Sequence, residues 1–100
     1  MKRLFLFLVL LACDSRDYRI SRAREFMQNW NYDRAMMELG RIKNNKDAEA
    51  NFLLGQCYMG KNNYDEAYNS FRQAAQLDTT YIDSICAIYK NLIQKALKID

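Results

Sequence analysis

The chain has 100 residues, half of them apolar and 27% charged, with no histidine, no proline and three glycines. Without histidine it builds no Ser-His or Cys-His nucleophile, no His-ligated zinc site and no histidine proton shuttle, and so few turn formers fit helices better than a β fold. The formal charge of +3 falls to +1 when Lys2 and Arg3 are set aside with a leader, too little to attract nucleic acid.

Met1-Lys2-Arg3 is basic, and Leu4 to Ala12 is an unbroken apolar run of nine residues that ends against Asp14-Ser15-Arg16-Asp17. A helix needs about 20 residues to cross a bilayer, so this run reads as a signal-peptide core. Its ending, Leu10-Leu11-Ala12-Cys13, resembles the lipobox of bacterial lipoproteins. That resemblance implies cleavage before Cys13, a diacylglycerol on its thiol and, usually, an acyl group on the new amino terminus. Small Ala12 suits the peptidase and the thiol accepts the lipid. The expected organisation is a signal peptide at 1–12, a lipid-anchored linker at 13–16 and a helical domain at 17–100, held at the inner or outer membrane of a bacterial envelope and facing the periplasm or the exterior. At about 0.8 kcal/mol per buried methylene, two or three acyl chains hold such a domain durably. Asp14 follows the lipid site, which in enterobacteria tends to retain lipoproteins in the inner membrane; that rule is not universal, and the choice of membrane stays open. Arg16, Arg19, Arg22 and Arg24 crowd the stretch after the anchor, and the first three share a broad helix face able to meet lipid phosphates. Asp14, Asp17, Glu25 and Asp33 offset much of that charge, and a solvated face is the plainer reading.

The first two helices are expected at about Asp17 to Asn29 and Tyr32 to Lys43. Asn31-Tyr32-Asp33-Arg34-Ala35 returns 32 residues later as Asn63-Tyr64-Asp65-Glu66-Ala67, a period that points to stacked helix pairs. Between Ala48 and Tyr81 stand Leu54-Gly55, Tyr58, Tyr64, Ala67, Phe71, Ala74 and Leu77-Asp78, and this segment resembles the tetratricopeptide repeat, a 34-residue helix-turn-helix unit. Gly55 and Ala67 are small where two antiparallel helices approach, while Leu54, Tyr58, Phe71 and Leu77 recur at helical spacing and are expected to fill the seam. Asn63 is suited to cap the second helix with Glu66 as capping-box partner, after a turn at Lys61-Asn62-Asn63. Asn51, Asn62 and Thr79 depart from the tryptophan, glycine and proline common in the family. A weaker first copy, about 17–47, keeps Tyr32, Ala35, Leu39 and Ile42, has Ala23 and Phe26 in place of glycine and tyrosine, and is linked to the second by Asn44-Asn45-Lys46.

After Asp78 one more helix is expected, about Tyr81 to Ile99, opened by a Thr80–Asp83 capping box. Ile82, Ile85, Tyr89, Leu92, Ala96 and Ile99 form an apolar stripe, and Asp83, Lys90, Asn91, Gln94, Lys95 and Lys98 lie away from it. One polar side suits a cap (82–99) at a natural end of a solenoid; the stripe's heptad spacing also fits a dimeric coiled coil, although it is short for one. The fold class is therefore all-α, a helix-turn-helix solenoid of tetratricopeptide-like repeats with about five helices.

Cys57 and Cys86 lie on apolar or small-residue stretches, where buried free thiols are the default; a disulfide between them is the alternative in an oxidising envelope, and two thiols fall short of a metal site. Asp65 and Glu66 are explained by capping, and neither a phosphate loop nor a calcium loop is present. No enzyme activity, cofactor, metal, nucleic acid or small-molecule substrate is expected. The tetratricopeptide resemblance implies a concave groove, lined by the first helices of successive repeats, in which a peptide or partner helix lies. Counting i, i+3, i+7, i+10 from Glu49 selects Phe52, Gln56 and Met59, opposite Leu54, Gly55 and Tyr58; the matching faces of helices one and five offer Arg24 and Lys90. A ligand with an acidic residue and an apolar anchor follows, with Phe52 as ordinary core the alternative. The expected function is a membrane-tethered module for a protein or peptide partner. A permanent accessory subunit of an envelope assembly or secretion complex is the second reading, and a small lipid-binding or enzyme-activating lipoprotein, for which no pocket chemistry is seen, the third.

Overall fold

The computed structural model describes residues 15–42 and 46–97. Among them are α1 (Arg16–Gln28), α2 (Tyr32–Gly40), α3 (Ala48–Gly60), α4 (Tyr64–Leu77), a 3-10 turn (Thr79–Tyr81) and α5 (Ile82–Leu97), with no strand. The expected leader, Cys13, Asp14, Asn44, Asn45, Lys98 and Ile99 lie outside the described residues.

Each of the first four helices starts on a residue whose side-chain oxygen accepts the N–H three positions on: Ser15 from Tyr18, Asn31 from Arg34, Asp47 from Ala50 and Asn63 from Glu66. Such a cap satisfies one donor that the first turn leaves open. The turns before α2 and α4 are built alike. Asn31 N–H donates to the Phe26 carbonyl at 2.8 Å and Asn63 N–H to that of Tyr58 at 2.9 Å, with Trp30 at φ 62° and Asn62 at φ 63° between. The repeated asparagine theme is thus a repeated helix stop and start.

Ile20 and Ala23 of α1, Ala35 and Leu39 of α2, and Ala50, Leu53 and Cys57 of α3 form one buried cluster. On the other side of α3, Ala67, Phe71 and Ala74 of α4 are buried. A Cβ placed on Gly55 would fall 2.5 Å from Phe71 ring carbons, which is why glycine stands there. Asn51, standing where the family has tryptophan, is buried, and its Nδ2 donates to the Asp47 carbonyl at 3.0 Å.

Several expectations are corrected. Leu54 packs on the cluster that α1, α2 and α3 build together, and Leu77, the last residue of α4, is exposed. Helix α2 stops at Gly40, short of Lys43. The Thr80–Asp83 box is replaced by Asp78, which accepts the Thr80 N–H at 3.0 Å and the Thr80 hydroxyl at 2.7 Å and so opens the 3-10 turn that runs into α5. No residue of α5 is buried. Its inward side is Ile85, Ile88, Tyr89 and Leu92, all half-buried, whereas Ile82 and Ala96 of the expected stripe are exposed. The Tyr89 ring meets Phe71 edge-on with centroids 6.0 Å apart, and beside this contact α4 and α5 enclose a cleft of about 160 Å³ lined by Tyr68, Ala75, Ile82 and Cys86 among others.

Cys57 is buried, and burial pushes its thiol up to about 11; Cys86, expected to be buried, is exposed, and the two thiols are not bonded. No described helix is long and apolar enough to cross a membrane.

Candidate functional site

The N-terminal end of α3 carries two carboxylates on its first turn, Asp47 and Glu49, and both are met from α1. Arg16 and Arg24 are eight residues apart, so they lie on one side of α1 about two turns from each other. Arg16 Nη2 donates to Asp47 Oδ1 at 3.0 Å and to Glu49 Oε1 at 2.7 Å, while Arg24 Nη2 donates to Glu49 Oε2 at 2.6 Å. Glu49 thereby bridges the two guanidinium groups. The Arg16 hydrogen bonds, assisted by the N–H groups at the helix start, hold the Asp47 carboxyl below the ordinary carboxylate value. Arg24, then Arg16, does the same for Glu49. Arg16 in turn holds its proton more tightly than a free guanidinium.

One turn after Glu49, Phe52 stands half-buried with its ring centroid 4.9 Å from Tyr81 and 5.7 Å from Phe71. Partial burial, then the negative charges of Glu49 and Asp78, raise the Tyr81 phenol above its usual value, so it stays a hydrogen-bond donor across the neutral range. Gln56 and Met59, both half-buried, continue the row along α3. The face therefore runs from an ion-paired rim through two aromatic rings to an amide and a thioether. It offers donors, acceptors and apolar contact, and no nucleophile paired with a base. Among the described residues no group of three His, Cys, Asp or Glu side chains is placed to hold a metal ion.

Of the residues selected from the sequence, Phe52, Gln56 and Met59 share α3 at the expected spacing. Phe52 is tied to two neighbouring elements by its ring contacts with Phe71 and Tyr81. Arg24 lies beside α3 but is joined to Glu49, which changes it from an isolated cation into half of an ion pair with its side chain 52% exposed. Lys90 is exposed on α5, two positions from half-buried Leu92 and so on the opposite side of that helix. Cys13 lies outside the described residues. Arg16, Glu49 and Tyr81 complete the face without having been selected. Glu49 was visible as the start of the spacing; Arg16 and Tyr81 reach the face from other elements and carry no local signal.

No curated protein and no solved structure matches the chain. Residues 48–81, comprising α3, α4 and the 3-10 turn, match the family model of the tetratricopeptide repeat, and the described residues form an all-α, tetratricopeptide-like arrangement of five helices.

Proposed function

We infer that the protein is a membrane-tethered protein-interaction module, held at a bacterial envelope by lipid on Cys13 and taking a segment of a partner protein on the face shared by α1, α3 and the 3-10 turn. The tetratricopeptide repeat is a protein-recognition unit, and the observation that carries the reading is the row Glu49, Phe52, Gln56, Met59. These are four partly open side chains of mixed character, on one face of the helix that the repeat family uses for recognition. The fitting ligand is an extended or helical segment with an apolar anchor for the Phe52–Tyr81 rings and an acidic group for the donors of half-exposed Arg24. The lipid supplies attachment, and α1, which begins at Arg16, starts three residues after Cys13.

The tether has its own test. Cys13→Ser should abolish acylation and leave a larger precursor retaining Met1 to Ala12; mass spectrometry of the membrane-extracted protein that finds Cys13 unmodified, or cleavage elsewhere, removes the lipoprotein reading. The alternative of a permanent accessory subunit is favoured by one observation, the apolar surface of α5 at Ile82, Ile93 and Leu97. In that version the isolated domain loses stability on dilution.

A further inference from the structure

Besides its inward side, α5 carries a second apolar row. Ile82, Cys86, Tyr89 and Ile93 follow one another at spacings of four, three and four residues, the a/d pattern of a coiled coil, and Ala96 holds the next such position. Tyr89 belongs to both rows. Ile82 and Cys86, both exposed, stand on the α5 wall of the α4–α5 cleft, and the row runs on past it to Ile93, which is 56% exposed. The row borders the α4–α5 cleft, on whose far wall Tyr68 is itself exposed. Asp83 and Lys90 stand one heptad apart along the opposite border.

We propose that a second copy of this chain covers the row, with the two α5 helices antiparallel about a two-fold axis. Charge selects the occupant. An antiparallel pair that sets Ile82 opposite Ile93 of the other copy, and Cys86 opposite its Tyr89, brings each Asp83 to the Lys90 of the other helix. The pairing is self-complementary, and symmetry makes it twice. A parallel pair gives neither charge an opposite partner and lays Cys86 against Cys86. Bulk points the same way: Tyr89 stands 34 residues after Gly55, so α5 has a large ring where α3 is pared back to admit α4. A helix of the repeat kind is kept at a distance there, whereas a coiled-coil neighbour accommodates a large residue at a core position. This inference concerns a surface apart from the α1–α3 face and does not depend on it.

The test is the mass of the full chain, extracted and purified in detergent, by sedimentation across the micromolar range. The wild type should approach two chains. Asp83→Lys and Lys90→Asp should each weaken association about tenfold, by turning both cross-pairs repulsive, and the double swap Asp83→Lys/Lys90→Asp should restore it. Ile93→Asp should give single chains with an unchanged melting temperature, since Ile93 is mostly exposed within one chain. In a Cys86→Ser background, Asp83→Cys/Lys90→Cys should form a dimer-linking disulfide on oxidation; seven residues along one helix is about 10 Å, too far for the bond to close within a chain. Single chains throughout, indifference to both single reversals, failure of the double swap, or oxidation of the wild type to a Cys86–Cys86 dimer would each overturn the proposal.

Discussion

Trp30 and Asn62 hold the same left-handed backbone position in two turns of one design, and neither is the glycine that position favours. For tryptophan the bulky side chain is 79% exposed and its ring meets Tyr32 edge-on with centroids 6.4 Å apart, so little packing offsets the strain. Trp30→Gly should therefore stabilise the fold by roughly 1 kcal/mol, and Asn62→Gly by less, read as a higher denaturant midpoint with an unchanged slope. Gly55→Ala should act the other way by about 1 to 3 kcal/mol, because the new methyl meets the Phe71 ring and that ring is fully enclosed. Gly55, Ala67 and Phe71 were legible in the sequence because close helix approach restricts residue type sharply. Leu54 and Leu77 were misplaced for a related reason: spacing says which side of a helix a residue is on, but not what lies opposite.

Helix α1 shows the limit of reading elements one at a time. Its arginines look like a face for anionic lipid, yet Arg16, Arg19 and Arg24 pair with Asp47, Glu38 and Glu49, partners 31, 19 and 25 residues away. No local pattern announces such pairs; only the stacking of α1 on α2 and α3 creates them. The pairs carry a pH dependence. Folding lowers the Asp47 and Glu49 values, so their contribution is present above the unfolded carboxylate values near about 4 and is lost as the pH falls through the folded ones. The wild type should lose stability from about pH 4 downward, and Arg16→Ala should be less stable at pH 7 with a shallower acid loss. Parallel pH curves for the two proteins count against the ion-pair account. Helix α5 was legible as a helix but not in its facing, since two apolar rows share Tyr89 and only contact with α4 chooses between them. Having no buried residue, it contributes less than four enclosed aliphatic side chains would. A chain cut after Asp78 should still melt cooperatively, lower by roughly 5 to 15 °C, from exposure of Phe52 and Phe71. Loss of the transition altogether would show α5 to be indispensable.

For the molecule as a whole, the 32-residue return of the asparagine theme and the Gly55-to-Phe71 spacing were enough to reveal the stacked pairs, because repeats are built from nearest-neighbour contacts that leave a periodic trace. The recognition face was half legible. Its α3 row is written in one stretch of sequence, whereas Arg16, Arg24 and Tyr81 are brought to it by the turns between helices. The central claim is that this face, and not the outer side of the stack, meets a partner protein. Photo-cross-linking in intact cells from a reactive residue replacing Gln56, compared with one replacing exposed Met37 on α2, tests it most directly. The account predicts one discrete adduct from position 56, abolished by Arg24→Glu, and none from position 37. An adduct from position 37 alone would contradict it.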